Sequence, residues 1–159
     1  MSKDPAKDIV KILKKKKYSI TFAESCTGGL LSATMVSVPG VSDVYKMGFV
    51  TYANKAKRKL LGVKKKTLRK YGAVSEECAY EMAFGAAKAA DADVAVSITG
   101  IAGPDGGTDT KPVGTVYIGC CIGKEACVRR YQFTGDREEV RQSSVDAALE
   151  LLYAELTDK

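Results

Sequence analysis

The stretch YSITFAESCTGGLLSATMVSV, residues 18–38, decides the fold. Its first part, YSITFA, is a short run rich in β-formers, and CTGGLLSATMVSV after it reads as a helix stopped by Pro39-Gly40. Together they make a strand-turn-helix unit. DVAVSITG, residues 93–100, is a continuous apolar run of the kind a strand shows when both its faces are covered, and it passes directly into the loop GIAGPDGGTDTKPVG. VYKMGFVTYAN is a further strand, with Gly48, Val50 and Tyr52 on one side and Met47, Phe49 and Thr51 on the other. GTVYIGCCIG and ACVRRYQF, separated by Gly123-Lys124-Glu125, read as an antiparallel hairpin.

Helices stand before, between and after these strands. Asp4-Pro5 opens the first, with a capping acid, a proline in the first turn and a buried stripe of Ile9, Val10, Ile12 and Leu13. Asn54 is the expected cap of KAKRKLLG, a basic helix follows near Lys65 to Lys70, and Ser75-Glu76-Glu77 opens an Ala-rich helix ending near Ala90. Asp136 caps REEVRQSSVDAALELLYAEL. The expected fold is α/β: a single-domain, three-layer α/β/α sandwich with a mixed sheet over residues 1–159.

With 45% hydrophobic and 28% charged residues the chain is too apolar to be disordered. Its net charge of +6 suits an anionic ligand but selects no class of one. Much of the excess lies in KILKKKK and VKKKTLRK, which interleave no aromatic residues with their cations and so read as solvated helix faces, without a nucleic-acid partner. The five cysteines form no CxxC pair and there is no histidine, so no metal and reduced thiols are expected. MSKDPAKDIVK lacks the apolar core of a signal peptide, and no apolar stretch is long enough for a bilayer. The expectation is a cytoplasmic protein with no membrane partner.

The missing histidine also limits the chemistry. Neither a Ser-His-Asp triad nor a Cys-His pair can form within the chain, so any general base is a lysine, a tyrosine or a carboxylate. Ser25 lies where a strand gives way to a helix, beside the backbone N–H groups of Cys26, Thr27, Gly28 and Gly29, which could serve as an oxyanion hole. It could equally be a helix cap. With Asn54 as cap, Lys57 falls in the first turn of its helix, where the positive dipole end disfavours an ammonium. Tyr52 could relay a proton between Ser25 and Lys57 or orient the lysine.

The loop bearing Gly100, Gly103, Pro104, Asp105, Gly106 and Gly107 leaves the C-terminal end of a buried strand, the ligand-binding edge of open α/β sheets. It also carries an ordinary turn sequence and matches neither the Walker loop nor GxGxxG, so a connector and a substrate-binding loop both remain open. Arg137 and Arg141 lie four residues apart on the last helix, where Arg141 could hold a phosphate by a forked pair of hydrogen bonds or pair with Glu138 at the surface. Glu24 has no assigned catalytic role.

TFAESCTGG, GFVTYANKAK, YGAVSEE, SITGIAGPDGG with KPVGTVY, and FTGDREEVR, in this order, resemble the C-terminal domain family of the competence-damage-inducible protein CinA. The resemblance runs from about Lys11 to the end of the last helix. It implies hydrolysis of the carboxamide of nicotinamide mononucleotide to nicotinate mononucleotide and ammonia, a step of pyridine-nucleotide salvage. It places the nucleophile at Ser25 and the family's tyrosine and lysine at Tyr52 and Lys57, with no metal or organic cofactor. The implied partner is a small nucleotide, its phosphate meeting the glycine-rich loop or Arg141. Fused relatives carry an additional N-terminal domain, so a stand-alone version is expected, with a symmetric homo-oligomer such as a dimer. The alternative function is a non-catalytic module that binds a pyridine or other phosphorylated nucleotide.

Overall fold

A computed structural model describes residues 1–158. The elements run α1 (Pro5–Lys16), β1 (Ile20–Glu24), α2 (Leu30–Val36), a short 3-10 turn, β2 (Phe49–Val50), α3 (Asn54–Leu61), α4 (Lys65–Tyr71), α5 (Glu76–Ala90), β3 (Val94–Gly100), β4 (Thr115–Ile122), β5 (Glu125–Gln132) and α6 (Arg137–Thr157). The sheet order is β2-β1-β3-β4-β5. β2, β1 and β3 are parallel, while β3-β4 and β4-β5 are antiparallel, so the sheet is mixed as expected.

Alternation along the strands separates two apolar clusters. Ile20, Phe22, Val94, Val96, Ile98, Val116 and Ile118 pack with α1, α2 and α6. Ala23, Ala95 and Cys121 face Met82, Ala83 and Ala86 of α5. The α5 face uses small residues because the helix sits close to the sheet: a Cβ on Gly119 would stand 2.9 Å from the Ala79 carbonyl oxygen. Ser97 on this face donates its hydroxyl to the Ala79 carbonyl at 2.6 Å. Three layers follow from these two faces.

Helix starts follow local chemistry at Asp4 and Ser75, and at Asp136 a reciprocal capping box forms with Glu139. Three expectations change. The second strand pairs only at Phe49–Val50, apart from an isolated bridge between Ile20 and Tyr45. The hairpin turn is the two residues Gly123-Lys124, because Glu125 already pairs with Ile122. Asn54 is not the cap of α3 but its first helical residue, after Ala53 in extended conformation. No helix among the described residues is long and apolar enough to cross a membrane.

Candidate active site

The site forms where β1, β2 and β3 end. β1 stops at Glu24, and Ser25 keeps one more sheet-like bond, its N–H to the Ile98 carbonyl at 3.0 Å. The chain then turns: the Gly28 N–H closes on the Ser25 carbonyl at 3.0 Å, and Gly28 and Gly29 take φ of 59° and 105°. Those values favour glycine and delay α2 to Leu30, so the expected helix start at Cys26 is moved along the chain.

Gly29, the N-cap of α2, has no side chain with which to cap it. Glu24 fills that role from upstream. Its fully buried carboxylate accepts from Thr27 Oγ1 (2.7 Å), Leu31 N–H (2.8 Å), Ser32 N–H (2.9 Å) and Ser32 Oγ (2.7 Å). The positive end of α2 is thus neutralised internally. Of the four amides expected to face an oxyanion, Gly28's is occupied, those of Thr27 and Gly29 have no acceptor among the described residues, and of these four residues only Cys26 lines the cavity beside Ser25.

Lys57 lies across from this turn. It is the fourth residue of α3, and its own N–H makes an intrahelical bond to Ala53 at 3.1 Å. Helical side chains lean toward the N-terminus, which carries its ammonium back to the end of β2. There Nζ meets the Thr51 carbonyl at 2.8 Å, the Tyr52 carbonyl at 3.1 Å and Ser25 Oγ at 2.9 Å. Lys57 is only 1% exposed, and burial holds its pKa below the ordinary 10.5. A neutral amine has two hydrogens for two carbonyls, which leaves its lone pair toward the Ser25 hydroxyl.

Tyr52 reaches the site in two ways. Its carbonyl helps hold Lys57, while its exposed phenol accepts from Arg137 Nη2 at 3.0 Å. Ser25 and Lys57 touch directly, so no hydroxyl stands between them as a relay. A cavity of about 270 Å³ is lined by Ser25, Cys26, Tyr52, Asn54 and Lys57 on one side and by Thr99, Gly100, Gly103, Asp105 and Gly106 on the other, with Arg137. Gly103 and Gly106 have positive φ, which lets the loop fold close over this space.

Three expected binding residues fall outside. Pro104 and Gly107 do not line the cavity, and Gly107 instead backs onto Val113, whose nitrogen would be 2.7 Å from an added Cβ. Arg141 is absent from the lining because its guanidinium is taken by backbone: Nε donates to the Cys26 carbonyl at 3.2 Å and Nη2 to the Thr27 carbonyl at 2.8 Å. Arg137 occupies the place expected of Arg141, anchored by Nη1 to the Gly103 carbonyl at 2.7 Å, and makes no ion pair with Glu138. Its one sequence signal was its position directly after the cap Asp136. Among the described residues no three His, Cys, Asp or Glu side chains gather as a metal-ligand set.

Comparison with known proteins places this geometry in context. The model of the CinA C-terminal domain matches residues 2–156. A CinA-like protein of Thermotoga neapolitana is 52% identical over 95% of the chain, and one of Kosmotoga olearia is 51% identical over 91%. The chain spans 37% and 35% of those relatives, about a third of their length. Among solved structures, a CinA superfamily protein from Klebsiella pneumoniae superposes with a TM-score of 0.94 at 37% identity, covering 98% of this chain and 97% of the other. The competence/damage inducible protein CihA from Agrobacterium tumefaciens gives 0.93 at 40% identity, covering 96% and 93%.

Proposed function

Because the chain belongs to the CinA C-terminal domain family, we propose that it is an amidohydrolase that converts nicotinamide mononucleotide to nicotinate mononucleotide and ammonia. The observation that carries this reading is the 2.9 Å contact between Ser25 Oγ and a buried Lys57 held by two carbonyls. A lysine whose ammonium form is disfavoured by burial is the base a histidine-free chain needs.

Lys57 accepts the hydroxyl proton as Ser25 Oγ attacks the carboxamide carbon. The oxyanion that results is met by amides of the 26–29 turn. The Lys57 ammonium then protonates the departing nitrogen, the C–N bond breaks, and ammonia leaves an ester on Ser25. Water attacks that ester while Lys57 takes its proton, and the proton returns to Ser25 Oγ as the carboxylate product departs. Arg137 and Asp105 line the same cavity with opposite charge and make no ion pair with each other, which suits a ligand carrying a phosphate and a cationic ring. Arg137 is the phosphate's partner in this reading.

Ammonia release from nicotinamide mononucleotide, measured for the wild type, Ser25→Ala and Lys57→Ala, tests the proposal. Turnover by the wild type and its loss in both variants is the expected result. Wild-type rates in Ser25→Ala would remove the nucleophile. Binding without turnover, seen as a raised melting temperature, would leave a nucleotide-binding module instead.

A further inference from the structure

Arg141 lies one turn along α6 from Arg137, yet it faces the nucleophile turn from behind and not the cavity. Its Nε and Nη2 hold the carbonyls of Cys26 and Thr27, two successive peptides immediately after Ser25. In a trans peptide the N–H points opposite to the C=O. Carbonyls turned toward Arg141 therefore turn the Thr27 and Gly28 N–H groups away from it. The Gly28 N–H returns to the Ser25 carbonyl at 3.0 Å, and the Thr27 N–H meets no acceptor among the described residues.

The peptide between Thr27 and Gly28 leads into a glycine that tolerates either sign of φ, and its carbonyl also accepts from the Leu30 N–H at 3.1 Å. Arg141 places its shorter bond, 2.8 Å, on that carbonyl. Nη2 lies against Gly28 itself, 3.8 Å from where a Cβ would stand. The turn is thus gripped on both sides, by Glu24 through the Thr27 hydroxyl and by Arg141 through the carbonyls, the Thr27 carbonyl being shared with the Leu30 N–H.

We propose that Arg141 is a positioning residue: by holding the Cys26 and Thr27 carbonyls it fixes the turn after Ser25, with the Thr27 N–H held as a donor to the oxyanion formed when Ser25 attacks. This rests on the amidohydrolase reading. It assigns Arg141 no contact with substrate phosphate, the role the spacing of the two arginines had suggested for it. Charge serves the same end, because a carbonyl bonded to a guanidinium makes the N–H of its peptide a stronger donor.

The test compares the wild type, Arg141→Ala, Arg141→Lys and Arg137→Ala, each checked for folding by its melting temperature. kcat and KM are measured on nicotinamide mononucleotide and on nicotinamide riboside, which lacks the phosphate. In parallel, the rate at which an aryl fluorophosphonate labels Ser25 is followed by mass spectrometry. In that reaction the Oγ–P bond forms, the P–F bond breaks, fluoride leaves and Lys57 takes the proton. Arg141→Ala is expected to lower kcat roughly 100-fold on both substrates and to slow labelling comparably, with KM within about threefold, as for a displaced reacting group. Arg141→Lys, which keeps one donor, should recover part of each loss.

Arg137→Ala should raise KM for the mononucleotide alone. A rise in KM confined to the mononucleotide in Arg141→Ala, with labelling unchanged, would make Arg141 a phosphate ligand and overturn the proposal. If Arg141→Ala does not fold, the same split in Arg141→Lys decides. Failure of the wild type to turn over nicotinamide mononucleotide, with labelling still dependent on Arg141, would refute the substrate and leave the positioning role standing.

Discussion

Gly85→Ala tests how the fold holds Lys57. Gly85 lies on the face of α5 that meets the end of α3, and a Cβ there would stand 1.8 Å from the Leu61 oxygen, 2.7 Å from its carbonyl carbon and 3.1 Å from its Cα. These are backbone atoms, so nothing can swing aside. Reaching an ordinary contact of 3.4 Å requires a displacement of about 1.6 Å. α3 is only eight residues long and moves as a unit, with Lys57 one turn before Leu61. Ser25 stays on the sheet, tied to Ile98, so the 2.9 Å contact opens. A misplacement on this scale lowers kcat by about 100-fold, and the overpacking costs roughly 1–3 kcal/mol. Glycine to alanine in an unobstructed helix stabilises by roughly 0.5–1 kcal/mol, so the sign is diagnostic. Urea unfolding gives the stability and ammonia release the rate. A Gly85→Ala protein more stable than wild type, or one with kcat within twofold, would refute the reasoning.

Three further outcomes are expected. Glu24→Gln sets an amide N–H₂ against donors that now meet a carboxylate, so the urea midpoint should drop by the equivalent of roughly 2–3 kcal/mol; an unchanged midpoint would mean that the carboxylate does not hold α2. Lys57 is deprotonated more readily folded than unfolded, so between its depressed folded pKa and 10.5 the unfolded chain binds more protons and stability rises with pH. Cys26 and Cys78, raised by burial from 9.0 to about 11, act in the opposite sense above pH 9, so the slope is read as the difference between wild type and Lys57→Met, which should be positive. For the same reason kcat/KM should rise with pH through the depressed Lys57 value, and a profile that falls across that limb would exclude lysine as the base.

What was legible in the sequence was local. Asp4, Ser75 and Asp136 cap their helices as residues of their type do, and the apolar runs 94–100 and 115–122 are strands because both faces are covered. Lys57 could be found from its place near the start of its helix, where the dipole disfavours an ammonium, and the lean of the helical side chain, which brings it back toward the preceding strand, came only with the structure. The turn after Ser25 was harder, since Gly28 and Gly29 suggest a helix start yet adopt left-handed conformations that postpone it. Glu24 ends an apolar strand and gave no local sign that α2, lacking a capping side chain, would take its carboxylate. The exchange of roles between Arg137 and Arg141 is tertiary. Residues four apart share a helix face, and only the packing of α6 across the nucleophile turn decides which one reaches the cavity and which one reaches the backbone.

The most direct test of the central claim is the covalent state of Ser25 during turnover. Wild-type protein mixed with nicotinamide mononucleotide and quenched in acid within a turnover should carry, by peptide mass spectrometry, the mass of the nucleotide less ammonia on the peptide containing Ser25, with one ammonia released per nucleotide consumed. That adduct should be absent from Ser25→Ala, which should release no ammonia. Continued ammonia release by Ser25→Ala, or an adduct on any other residue, would contradict it.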